Sequence, residues 1–110
     1  MDDGFTSSNL LFEKQTPLGF HVRVTQGYWE MITTTKHPIM AGREEEVKDT
    51  LRVPDEIRQS KTDSSVYLFY KAERAGRWIC AVSKRLDGDG FLITAYLTDA
   101  IKEGERIWPR

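Results

Sequence analysis

The stretch "GRWICAVSKRLDGDGFLITAYLTD" constrains this chain more than any other part of it. Two runs rich in β-branched and aromatic residues flank Asp87-Gly88-Asp89-Gly90. Asp-Gly steps suit the tight turns of hairpins, so the two runs are expected to fold back on each other as antiparallel strands. The second run also alternates. Phe91, Ile93, Ala95 and Leu97 share one face, and Leu92, Thr94, Tyr96 and Thr98 share the other. The first face is fully apolar and is expected to be buried. The second carries three hydroxyls and is expected to point away, into an open side.

The neighbouring pattern extends this hairpin. "SVYLFYKAE" ends near Gly76 and predicts a strand over 66–73, followed by strands over 77–86 and 91–98. "EGERIW" after Gly104 predicts an edge strand. Upstream, "LLFEKQ" and "FHVRVT" flank the turn signal Pro17-Leu18-Gly19 and read as two short strands, with "YWEMITTT" as a third. One helix is predicted, over 39–52. Glu44, Glu45 and Glu46 suit a first turn, and Met40, Val47 and Leu51 recur at helical spacing. Pro54 closes it by excluding Val53 from the α region. These elements imply an α+β fold. One main helix covers the apolar face of a twisted antiparallel sheet of four or more strands, and the other face is free to be polar.

A chain of 110 residues with 39% hydrophobic and 30% charged residues reads as a single globular domain over 1–110, its first ten residues loose. The net charge of −1 and pI near 6.1 give no general attraction to polyanions, so such a site must be a local patch. The lone cysteine, Cys80, excludes a disulfide framework or a cysteine-based zinc site. "MDDGFTSSNLLF" lacks the basic start of a signal peptide, and no apolar run approaches the about 20 residues that span a bilayer. A cytoplasmic, soluble protein without a membrane partner is therefore expected. His37 has no carboxylate or second histidine at ligand spacing, so neither a metal nor a cofactor is expected.

The chemistry-bearing residues on the open side are His37 before the helix, Arg58 after it, Lys84 or Arg85 on one strand, and Thr94 and Tyr96 on the next, with Lys102 beyond. Each alone suits an ordinary structural role. Together they suit metal-free cleavage of RNA. A histidine can move the 2′-OH proton near neutral pH, arginine holds phosphate bidentately, and hydroxyls stabilise a phosphorane without adding charge. No acidic residue falls among them in the pattern. The same groups could equally hold RNA or a protein without cutting, as a binding module or an accessory of phage defence or a mobile element.

"KHP" before the helix, "PDEIRQS" after it, "VYLFYK", "VSKRLDGDGFLITAYLTD" and "IKEGE" together resemble small bacterial proteins of the phage-type branch of the barnase–EndoU–colicin–RelE superfamily of ribonucleases. The resemblance covers residues 28–108. It implies a helix followed by a four-stranded antiparallel sheet. It also implies a toxin-like endoribonuclease leaving a 2′,3′-cyclic phosphate, with an RNA substrate and a protein antitoxin as partners. The residues it implies are His37, Arg58, Lys84 or Arg85, Thr94 and Tyr96. No second catalytic histidine can be placed, because His21 lies on a different strand.

Overall fold

The computed structural model describes residues 9–110. Strands β1 (Leu10–Gln15) and β2 (His21–Thr25) form an antiparallel hairpin. Helix α1 (Gln26–Met31) follows, then a π-helical turn over Ile32–Lys36 and a 3-10 turn over Pro38–Met40. Helix α2 (Glu44–Arg52) leads into β3 (Glu56–Gln59), β4 (Val66–Arg74), β5 (Arg77–Leu86), β6 (Asp89–Thr98) and β7 (Glu105–Trp108). The strands make one mixed sheet in the order β1-β2-β6-β5-β4-β3-β7. The expected looseness of the first ten residues falls, for residues 1–8, outside the described residues.

The α+β class and the β4–β5–β6 meander match the sequence pattern, and β7 is the expected edge strand. Several expectations need correction. "YWEMITTT" is helical rather than a strand, so the described residues hold two α-helices. Its β-branched run is accommodated because the Thr33 hydroxyl donates to Trp29 O at 3.1 Å and the Thr34 hydroxyl to Glu30 O at 2.7 Å, within the helical coil. The helix expected over 39–52 begins only at Glu44, since Ala41 leaves the helical region with ψ 130°. The sheet is not wholly antiparallel: β2 lies parallel to β6, joined at the single register pair Arg23–Phe91. The polar segment Glu56–Gln59 forms β3, which the pattern did not reveal.

The two faces are unequal. On one, α2 buries Val47 and Leu51 against Ile57, Phe69, Ile79 and Ala81, with Phe20, Val22 and Leu92 completing the main core. On the other lies a smaller cluster of Leu68, Tyr70 and Cys80, with Tyr96 and Ile101 packed against it.

The face assignment of β6 is half right. Ala95 is fully buried and Leu97 packs on the core, while Thr94 and Tyr96 face the open side. The pairs Ser83–Leu92 and Val82–Thr94 leave Ile93 as an extra residue, a β-bulge. Before the bulge the phase inverts. Leu92 is buried, and Phe91, expected inside, is 39% exposed opposite Lys84.

Gly90, at the start of β6, lies against two other strands. A Cβ there would stand 2.8 Å from Lys84 O and 3.0 Å from His21 O. Backbone carbonyls cannot step aside as a flexible side chain can. Gly90→Ala should therefore lower unfolding free energy by about 1–3 kcal/mol in denaturant titrations. Gly88→Ala, where nothing lies within 4 Å, is the matched control and should change stability far less.

Candidate functional site

Cross-strand register builds the floor of the open face. One line of neighbours runs Tyr96–Cys80–Tyr70–Glu56, and the next runs Thr94–Val82–Leu68–Arg58. The first is apolar at its centre, with Cys80 fully buried and Tyr70 nearly so. Above this floor is a groove of about 730 Å³, lined among others by His37, Lys61, Tyr96, Thr98, Lys102 and Glu103. Two loops wall it. Residues 60–65 are tied by the Asp63 carboxylate, which accepts the Ser65 hydroxyl at 2.6 Å. Residues 99–104 are anchored where the Thr98 hydroxyl donates to Ala100 O at 3.0 Å and where Ile101 packs on the apolar floor.

His37 reaches the groove from the coil beside β6. Its N–H closes the π-helical turn on Ile32 O at 2.7 Å, and Pro38 then opens the 3-10 turn whose Met40 is buried. This holds the imidazole 5.5 Å, centroid to centroid, from the Tyr96 ring at a tilt of 42°. His37 and Tyr96, far apart in sequence, therefore converge.

The other expected residues separate. Thr94 shares the floor with Arg58 but stands three strands away, about 14 Å at strand spacing. Its hydroxyl is buried and, among the described residues, has no hydrogen-bond partner. Arg58 is built into the frame. Its Nε donates to Glu56 at 2.7 Å and its Nη1 to Gly104 O at 3.0 Å. Gly104 makes this contact possible: with φ 78°, it brings its Cα so close to β3 that a Cβ would stand 2.7 Å from Gln59 O.

Lys84 faces the groove side and pairs with Asp63 at 3.4 Å. Arg85, the alternative, points to the opposite face, its guanidinium 4.9 Å from the centroid of the Phe20 ring. Parity thus separates the two. The expectation of an acid-free site is also corrected. Glu103 lines the groove, and Glu56 occupies Arg58.

Tyr70 and Cys80 belong to the floor of the site but could not be recognised from the pattern, because "VYLFY" and "WICAV" are apolar on both faces and show no alternation. Burial pushes the Cys80 thiol up to about 12, against the opposing hydrogen bonds of Tyr96 and Tyr70. Burial likewise raises both tyrosine hydroxyls well above their ordinary range, with Cys80 the next cause. At neutral pH, Tyr96 is therefore a proton-bearing donor and not a base, and Cys80 is an unreactive thiol. Hydrogen bonds from Ser65, more than the nearby Lys84, hold the Asp63 carboxyl below its usual range.

Away from the groove, Glu13, His21 and Asp89 bring ligand atoms within 4.8 Å of one another. All three are exposed, and Asp89 already stands 3.5 Å from Arg23.

No protein-family model, curated protein or solved structure matches the chain, so the superfamily resemblance draws no support from known proteins.

The buried thiol and phenols make the domain sensitive to alkali. Above the ordinary thiol value of 9.0, an unfolded chain releases a proton that the folded one keeps. Stability should therefore fall as pH rises from 9 toward 12. The tyrosines add to the loss above their ordinary value of 10.0. Denaturant midpoints measured across this range should decline steadily. Cys80→Ala should remove the earliest part of the decline and leave the tyrosine part.

Proposed function

We propose that the groove binds RNA and that the protein is a metal-independent endoribonuclease of the barnase–EndoU–colicin–RelE kind, toxin-like and cytoplasmic. The observation that carries this reading is His37 held against Tyr96 at the wall of a groove that Lys61 and Lys102 also line. The reaction asks for little else. His37 accepts the proton of the 2′-OH as the 2′-oxygen attacks phosphorus. Tyr96, held in its protonated form, donates to a non-bridging oxygen as charge builds there. The bond to the 5′-oxygen breaks, and that oxygen takes up a proton from a lysine ammonium or from solvent. The products are a 2′,3′-cyclic phosphate and a free 5′-OH. A protein antitoxin would fit the same mouth by presenting acidic groups to the lysines.

A second reading has its own support. Arg58 is neutralised by Glu56, and Glu103 adds negative charge where a phosphate would lie. Both favour a module that holds RNA or a protein without cutting it.

Purified protein incubated with mixed RNA in EDTA, followed by sequencing of the ends, separates these readings. Cleavage that leaves cyclic phosphates is expected. His37→Ala should slow it roughly a hundredfold to ten-thousandfold without unfolding the domain. Tyr96→Phe should slow cleavage while retaining RNA binding. Binding without cleavage selects the second reading, and cleavage abolished by EDTA rejects the metal-free mechanism.

A further inference from the structure

The line Thr94–Val82–Leu68–Arg58 does not end at Arg58. On the edge strand β7, Arg106 stands directly opposite it. Two like charges opposed across neighbouring strands repel and destabilise the pair. Glu56 relieves Arg58 through its Nε at 2.7 Å. Arg106 is exposed, and no carboxylate among the described residues pairs with it.

The arrangement also has a backbone cause. The register passes from Ile57–Trp108 to Arg58–Arg106, which leaves Ile107 as an extra residue. Without that bulge, Ile107 would oppose Arg58, and Arg106 would face the helix side. Ile107 and Trp108 pack instead on the main core, and Arg106 is turned onto the open face. Bulges re-aim side chains in this way, at the cost of a ladder position. Here the re-aimed side chain is a cation placed beside another cation.

We infer that Arg58 and Arg106 form a phosphate-binding site at the edge of the open face, separate from the His37–Tyr96 end of the groove. The ligand class is a phosphate oxyanion. Glu56 already compensates Arg58, so an anion here balances the charge of Arg106, which offers a complete fork of donors for it. Arg58 has Nε and Nη1 committed to the frame, which fixes its plane, while Nη2 makes no such contact. Resting on the proposed function, the source of the oxyanion is a backbone phosphate of the bound RNA. The strand would leave the groove along this line of neighbours and run off the sheet at β7.

The test uses the full chain and a 2′-O-methyl RNA oligonucleotide of about ten nucleotides, which cannot be cleaved and lies within the range of single-strand sites. Affinity is measured by fluorescence anisotropy over a series of salt concentrations. Arg106 is exposed at an edge and opposes another cation, so Arg106→Gln should fold with a melting temperature no lower than that of the wild type. It should weaken binding and lower the slope of log K against log salt by about 0.7, the share of one phosphate contact on a single strand. Arg106→Lys should keep most of that slope. If Arg106→Gln binds with the wild-type affinity and slope, the site is overturned whether or not the protein cleaves RNA. If the wild type binds no RNA, the proposed function fails instead. The site is then judged by inorganic phosphate alone, from the arginine Nε–H resonances in 15N spectra. Movement of the Arg106 resonance that is lost in Arg58→Gln supports it, and an unmoved resonance overturns it.

Discussion

Strand β5 is buried from both sides, and both layers of the molecule depend on that. Ile79 and Ala81 are packed beneath α2 on one face, and Cys80 lies under the groove floor on the other. β5 has the two longest other strands, β4 and β6, on either side, and the register of those pairings places the centre of the floor, from Tyr96 and Thr94 to Tyr70 and Leu68. A strand with apolar residues on both faces does not by itself say which face is which. The helix decides. Val47 and Leu51 of α2 claim the side with the larger apolar area, and the remaining side becomes a shallow floor rimmed by loops.

The elements that the sequence made legible are those with strong local signals. The Asp-Gly turn marked the β5–β6 hairpin, and Pro54 marked the end of α2 close to Arg52. What was hidden lacks a local signal or has a misleading one. The threonines of "ITTT" argue for a strand until their hydroxyls find carbonyls in the preceding turn. "EIRQ" is too short and polar to read as a strand without its partners β4 and β7. Bulges are the hardest. A period of two carries a face assignment along a strand only while the register holds, and one extra residue reverses everything beyond it. Ile93 did this to Phe91.

The same physics governs how much of the site was legible. His37 and Tyr96 could be named from residue type; Tyr96 lies in the meander that the Asp-Gly turn marks, whereas the π-helical and 3-10 turns that place His37 were not legible. Arg58 was placed on the correct face, but the partners that anchor it were not legible. Its demand for hydrogen-bond acceptors is met by Glu56 and by the carbonyl of Gly104, partners that only the folded loop supplies. Glu103 entered the groove in the same way, through a loop closed by Thr98 and Ile101 rather than through any strand pattern. The groove is thus a mixed-charge surface, and selectivity there would come from geometry more than from overall attraction.

The β2–β6 contact is a single parallel pair, supplemented by the His21 N–H to Gly88 O bond at 3.1 Å and by the Tyr28 hydroxyl donating to Ile93 O at 2.9 Å. The sheet therefore has a seam. On one side lies the β1–β2 hairpin, and on the other lies the five-stranded body that carries the groove floor. Few backbone bonds cross between them, and the seam is held mainly by side-chain packing, since Phe20 and Val22 of the hairpin side are buried in the same core as Phe69 and Leu92. His37 hangs from the coil that follows the hairpin, whereas Tyr96 belongs to the body. Any slackening of the seam would thus be felt first as a change in the spacing of those two rings, with the floor beneath them undisturbed.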